Sequence, residues 1–73
     1  MTEEELDEMI LSRLRNRREQ AERTEISDAT QSPTDMAAAF NEPESRLEER
    51  VRSLAAEGRI KESAAAPDRW MIA

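Results

Sequence analysis

The sequence predicts a small α+β fold, three helices followed by two short strands. Three observations carry that expectation. Apolar residues recur at helical spacing in three separate stretches. Each stretch opens on a capping residue or a proline. After Gly58 the period changes, and Trp70 and Ile72, two apart, point to one face of an extended segment.

The first helix starts at once. Thr2 with Glu5 fits a capping box, and Glu3 and Glu4 sit at the positive end of the helix dipole. Leu6, Met9, Ile10 and Leu14 form one apolar stripe, which Ala21 continues weakly. Leu11 lies off this stripe and is expected either at the surface, as single leucines often are, or in a dimer contact. Beyond Leu14 the run "RNRREQAERTE" has no large apolar residue, and the pairs Arg15–Glu19, Arg18–Glu22 and Glu19–Arg23 stand four apart. The helix should continue as a solvated extension to about residue 22. Its cluster Arg13, Arg15, Arg17 and Arg18 is what the negative end of a helix attracts, so it is weak evidence for phosphate contact.

Residues 24–33, "TEISDATQSP", are a connector rich in turn formers, with Ile26 as a candidate strand residue pinning it to the sheet. Ser32, Pro33 and Asp35 then mark a second helix, through Met36 and three alanines to Phe40. Asn41 and Glu42 break the chain, and Pro43 suits the first position of a third helix. Leu47, Val51 and Leu54 are its buried stripe, and Gly58 its left-handed stop. "RIKES" and "RWMIA" read as strands around the loop "AAAPD", which lacks the glycine of a tight two-residue turn. Phe40, Leu47, Val51, Leu54, Ile60 and Trp70 are the expected core, with Trp70 against the third helix.

Composition narrows the function. Seventy-three residues make one domain, 1–73. Within it, 1–23 is the N-terminal helix, 24–33 the connector, 34–58 the helical pair and 59–73 the hairpin. A chain this short buries only about 60% of the surface its unfolded form exposes, so stability is marginal or shared. Without Cys or His there are no disulfides, no thiolate or imidazole metal ligands and no Cys- or His-based catalysis. An enzyme is not expected, nor is a metal or other cofactor. The acidic start "MTEEELDE" is unlike a signal peptide, and no run approaches the ~20 apolar residues of a membrane span, so a cytoplasmic protein without membrane contact is expected.

Seventeen acids face eleven bases, a net charge of −6, and ten of the eleven bases are Arg. An acid excess with abundant Arg and Ala fits salt adaptation, because high salt screens repulsion within a few ångströms. A GC-rich genome favours Arg and Ala equally.

The order helix, helix, turn, helix, strand, loop, strand resembles the winged helix-turn-helix family. The features that carry it are Met36-Ala37-Ala38-Ala39-Phe40, the turn Asn41-Glu42-Pro43, the row Leu47, Val51, Leu54 and the run "EGRI" leading into a hairpin. The likeness covers residues 34–73 and, by position, 3–22. It implies that residues 43–57 are a recognition helix, that 61–69 are a wing, and that the function is sequence-specific double-stranded DNA binding by a small transcriptional regulator. A single module is a weak reader, so a homodimer is expected.

If Leu47, Val51 and Leu54 face inward, then Ser45, Arg46, Glu49, Arg52 and Ser53 face outward. A helix in the major groove uses outward residues near its N-terminus. Arg46 can hold guanine through two bonds, Ser45 can contact a base edge or phosphate, and Glu49 can accept from cytosine N4. Arg59, Lys61 and Arg69 are the expected phosphate contacts of the hairpin, since duplex affinity rests largely on phosphates. Glu42, Glu44, Glu48, Glu49, Glu57, Glu62 and Asp68 are interleaved with these bases. Each Arg is therefore equally at home in a local ion pair, and the alternative is a protein-interaction module, an adaptor or inhibitor, whose acidic surface meets a basic partner.

Overall fold

Thr2 caps the first helix as its spacing requires. In the computed structural model, which describes residues 1–24 and 28–73, the Thr2 Oγ1 accepts from the Glu5 N–H at 3.1 Å and opens helix α1, Glu3–Arg23. Ser32 Oγ accepts from the Asp35 N–H at 3.1 Å and opens α2, Pro33–Phe40. Helix α3 is Glu44–Ala56. Pro43, expected as its first residue, is instead its cap, extended at ψ 139°. Strands β1, Ile60–Glu62, and β2, Trp70–Ile72, follow.

Left-handed residues close the two later helices. Asn41, at φ 56°, ends α2 while the Glu42 N–H donates to the Ala37 carbonyl at 3.0 Å. Gly58, at φ 76°, ends α3: its N–H donates to the Ala55 carbonyl and the Arg59 N–H donates to the Leu54 carbonyl. That paired closure is a Schellman turn, which needs a residue tolerant of positive φ at Gly58.

The strands form one antiparallel hairpin, with Ile60 opposite Ile72 and Glu62 opposite Trp70. Three helices with a C-terminal hairpin make a small α+β fold whose element order is winged-helix-like. The connector is pinned to the sheet by Gln31, which pairs with Trp70 through N–H···O bonds of 3.0 and 2.8 Å. The expected strand residue Ile26 lies outside the described residues. No turn or apolar signal marks Gln31, because the bond is made by its backbone.

Leu6, Ile10, Leu11 and Leu14 of α1, Met36 and Ala37 of α2, Leu47, Val51 and Leu54 of α3, and Ile60 form one buried core. Three expectations are corrected: the place of Leu11, the burial of Phe40 and Trp70, and the ion pairs along α1. Leu11 is only 2% exposed, neither a surface leucine nor free for a dimer contact. Helix α1 packs on both α3 and β2, so its buried arc is wide enough to include Leu11, about 60° round from Leu14. Met9, on the arc's other edge, is half-buried. Phe40 and Trp70 line the core's margin without being enclosed by it: Phe40 is the last residue of α2 and Trp70 the first of β2, each at the end of its element. The expected pairs Arg15–Glu19, Arg18–Glu22 and Glu19–Arg23 do not close within 4 Å; the side chains of these five residues are exposed, whereas Arg17 and Ala21 of the same extension are half-buried.

Candidate nucleic-acid interface

Burial of Leu47, Val51 and Leu54 turns the opposite side of α3 outward. Ser45, Glu49 and Arg52 are exposed there, and Ser53 is half-buried. On the hairpin side Arg59 and Lys61 are exposed. Lys61 points away from Ile60, which is buried, as alternation along a strand requires. Among the described residues, Arg52, Arg59 and Lys61 make no ion pair.

Arg46, Arg50 and Arg69 are placed differently. Arg46 lies one turn beyond Glu42, and its guanidinium donates to the Glu42 carboxylate at 3.1 Å and to the Met1 carbonyl. Arg50 turns to α1, where Nε donates to Asp7 Oδ1 at 2.8 Å and a terminal nitrogen to Oδ2 at 2.7 Å, with Glu3 at 3.3 Å. The Asp7 bonds raise the guanidinium above its already high value, partial burial opposes this, and Asp7, Glu3 and Glu49 add attraction. Arg69 donates through Nε to Thr30 Oγ1 at 2.8 Å and through a terminal nitrogen to the Thr30 carbonyl at 3.2 Å, near Asp28 and Asp35. The Thr30 hydroxyl and N–H, donating to Asp28, hold that carboxyl below its ordinary value, and Arg69 and Arg17 add to the effect.

The eight candidate residues thus divide. Ser45, Glu49, Arg52, Ser53, Arg59 and Lys61 stay accessible on α3 and the hairpin. Arg46 and Arg69 are drawn into contacts within the chain. Spacing does not single out Arg46: Glu42 stands four residues before it, but Glu48 stands four before Arg52 and that pair does not close. The partners of Arg50 and Arg69 lie on other elements, 43 and 39 residues away, and no local signal finds them.

Sequence reading also passes over a cleft of about 270 Å³ beside α3, lined by Pro33, Glu48, Val51, Arg52, Asp68 and Trp70. Among the described residues no cluster of three His, Cys, Asp or Glu side chains suits a metal ion, and no helix is long and apolar enough to cross a membrane. No family model matches the chain, and neither a curated protein nor a solved structure matches it.

Proposed function

We propose that this chain is a winged-helix module that binds duplex DNA as a small transcriptional regulator. The carrying observation is that α3 presents Ser45, Glu49 and Arg52 to solvent while, among the described residues, Arg52, Arg59 and Lys61 make no ion pair. In this reading Ser45, Glu49 and Arg52 meet base edges, and Arg59 and Lys61 meet phosphates. Ser53 lies beside Arg52 and makes a further contact from the same helix. Two phosphate contacts per copy give a salt slope of only about −2. Binding is therefore weak for one copy, and two copies on a two-fold site are expected.

The test is titration of labelled duplexes with the protein at several salt concentrations. A preferred sequence should emerge, with a shallow salt slope. No affinity beyond weak non-specific binding at low salt ends the reading.

A protein partner with a basic surface is the second reading, and a separate observation favours it. Arg46, Arg50 and Arg69 are each closed on acids of this chain, while Glu49 and Glu57 are exposed without an ion pair among the described residues. The accessible side of α3 is then no more positive than negative.

A further inference from the structure

The cleft beside α3 has a chemistry of its own. Trp70, Val51 and Pro33 supply apolar wall, and Glu48 and Asp68 supply two carboxylates. Among the described residues neither carboxylate makes an ion pair. Asp68 is held in the left-handed region at φ 59°, and its N–H donates to Glu62 Oε2 at 2.8 Å. Arg52, on the same wall, stands four residues beyond Glu48 yet is not closed on it.

We propose that this cleft receives the arginine side chain of a partner protein. Two carboxylates against one guanidinium leave the lining one charge negative, so a cation is the complementary occupant. A guanidinium suits the walls better than an ammonium: it is planar, stacks on an indole and bonds a carboxylate through two parallel N–H groups. Arg52 is the built-in competitor for Glu48. The assignment deepens the reading of a basic protein partner and stands independently of duplex binding.

Trp70 is the chain's single Trp and there is no Tyr, so its fluorescence reports on the cleft. A blocked Gly-Arg-Gly peptide, titrated into the intact chain, should change that emission saturably, with a dissociation constant in the millimolar range, on the order expected for one such contact. The citrulline peptide, of like shape and no charge, should bind at least about tenfold more weakly, because charge-assisted hydrogen bonds are the strong ones. Glu48→Gln and Asp68→Asn should each weaken binding about fivefold or more. Asn tolerates the left-handed backbone at 68, so that variant keeps the fold. Arg52→Ala should strengthen peptide binding, which is the opposite of its effect on a base-reading helix. Equal response to the arginine and citrulline peptides, or weaker binding by Arg52→Ala, overturns the proposal. Perturbation of Trp70 by duplex but not by peptide overturns it too, and leaves the duplex reading standing.

Discussion

Arg50 of α3 grips Asp7 of α1 through two parallel bonds, 2.8 and 2.7 Å long, across 43 residues of sequence. Each side chain of the pair is only 16% exposed, so both are largely withdrawn from water. The pair ties the N-terminal helix to the helix that carries the candidate site, and removes Arg50 from any contact with nucleic acid. Losing one partner leaves the other without its bonds. Arg50→Ala or Asp7→Asn should therefore cost about 1–3 kcal/mol in urea unfolding. The double variant should cost less than the sum of the two. Additive costs would mean that the pair does not couple the helices.

Leu11 gives the second prediction. It is 2% exposed at the edge of the buried arc of α1, so Leu11→Ala should cost roughly 2–5 kcal/mol, as Leu54→Ala should. A domain of this size has total stability near the low end of about 5–15 kcal/mol, so either change should unfold much of the population. Circular dichroism of the two variants against the parent measures it. A Leu11→Ala protein as stable as the parent would place that residue at the surface after all.

Leu11 and Arg50 also show where sequence reading stops. Capping by Thr2 and Ser32, the left-handed closure at Gly58 and the inward row of α3 were legible because each depends on neighbours within a turn. The hairpin was legible because its period of two is local. Leu11 was not, because the width of a buried arc depends on how many elements pack against the helix. The pairing of Gln31 with Trp70 uses backbone groups that every residue carries. Among the candidate residues, outward orientation followed from periodicity, whereas availability of charge did not. Arg46 and Arg52 look alike in the sequence, and only the fold separates the one closed on Glu42 from the one left open.

Thermal stability should rise with salt. The chain carries 17 acids against 11 bases, and molar KCl screens repulsion within a few ångströms. Melting temperature from low salt to molar KCl is the measurement. A flat profile removes salt adaptation as the reason for the acid excess.

Asp28 supplies a pH dependence whose sign follows from its environment. The hydroxyl and N–H of Thr30 bond its charged form, so its folded pKa lies below the ordinary 3.8. A depressed carboxyl stabilises the fold above its unfolded value and loses that contribution as pH falls through the folded one. The loss should therefore appear below about pH 3.8. The side chain is about half exposed, so the effect is small. Thr30→Val removes the hydroxyl bond and should shrink the difference in stability between pH 6 and strongly acid solution, while leaving that of Asp28→Asn smaller still. Identical acid profiles for parent and Thr30→Val would show that the hydroxyl does not set the Asp28 charge.

The accessible cations separate positioning from specifying. Lys61 stands on the outer face of β1 and Arg59 just beyond α3, where each can meet a phosphate without reading sequence. Lys61→Ala should weaken binding to all duplexes alike and reduce the salt slope by about one unit. Arg52 lies on the outward side of α3, so Arg52→Ala should cost about 1–3 kcal/mol on the preferred site and relax the choice at one base pair. Arg46→Ala should do far less, because its guanidinium is already held by Glu42 and the Met1 carbonyl. The pair is part-buried, with the Glu42 side chain 14% exposed, so its loss should cost about 1–3 kcal/mol and the variant's fold has to be checked by circular dichroism beside the titration. The measurement is a titration of preferred and scrambled duplexes at three salt concentrations with the parent and each variant. If Arg46→Ala loses the preference and Arg52→Ala keeps it, the reading surface has to be moved toward the N-terminus of α3, with the Glu42 pair opening on contact. If all three variants bind both duplexes as the parent does, none of Arg46, Arg52 and Lys61 touches DNA, and the cleft at Trp70 becomes the surface to pursue.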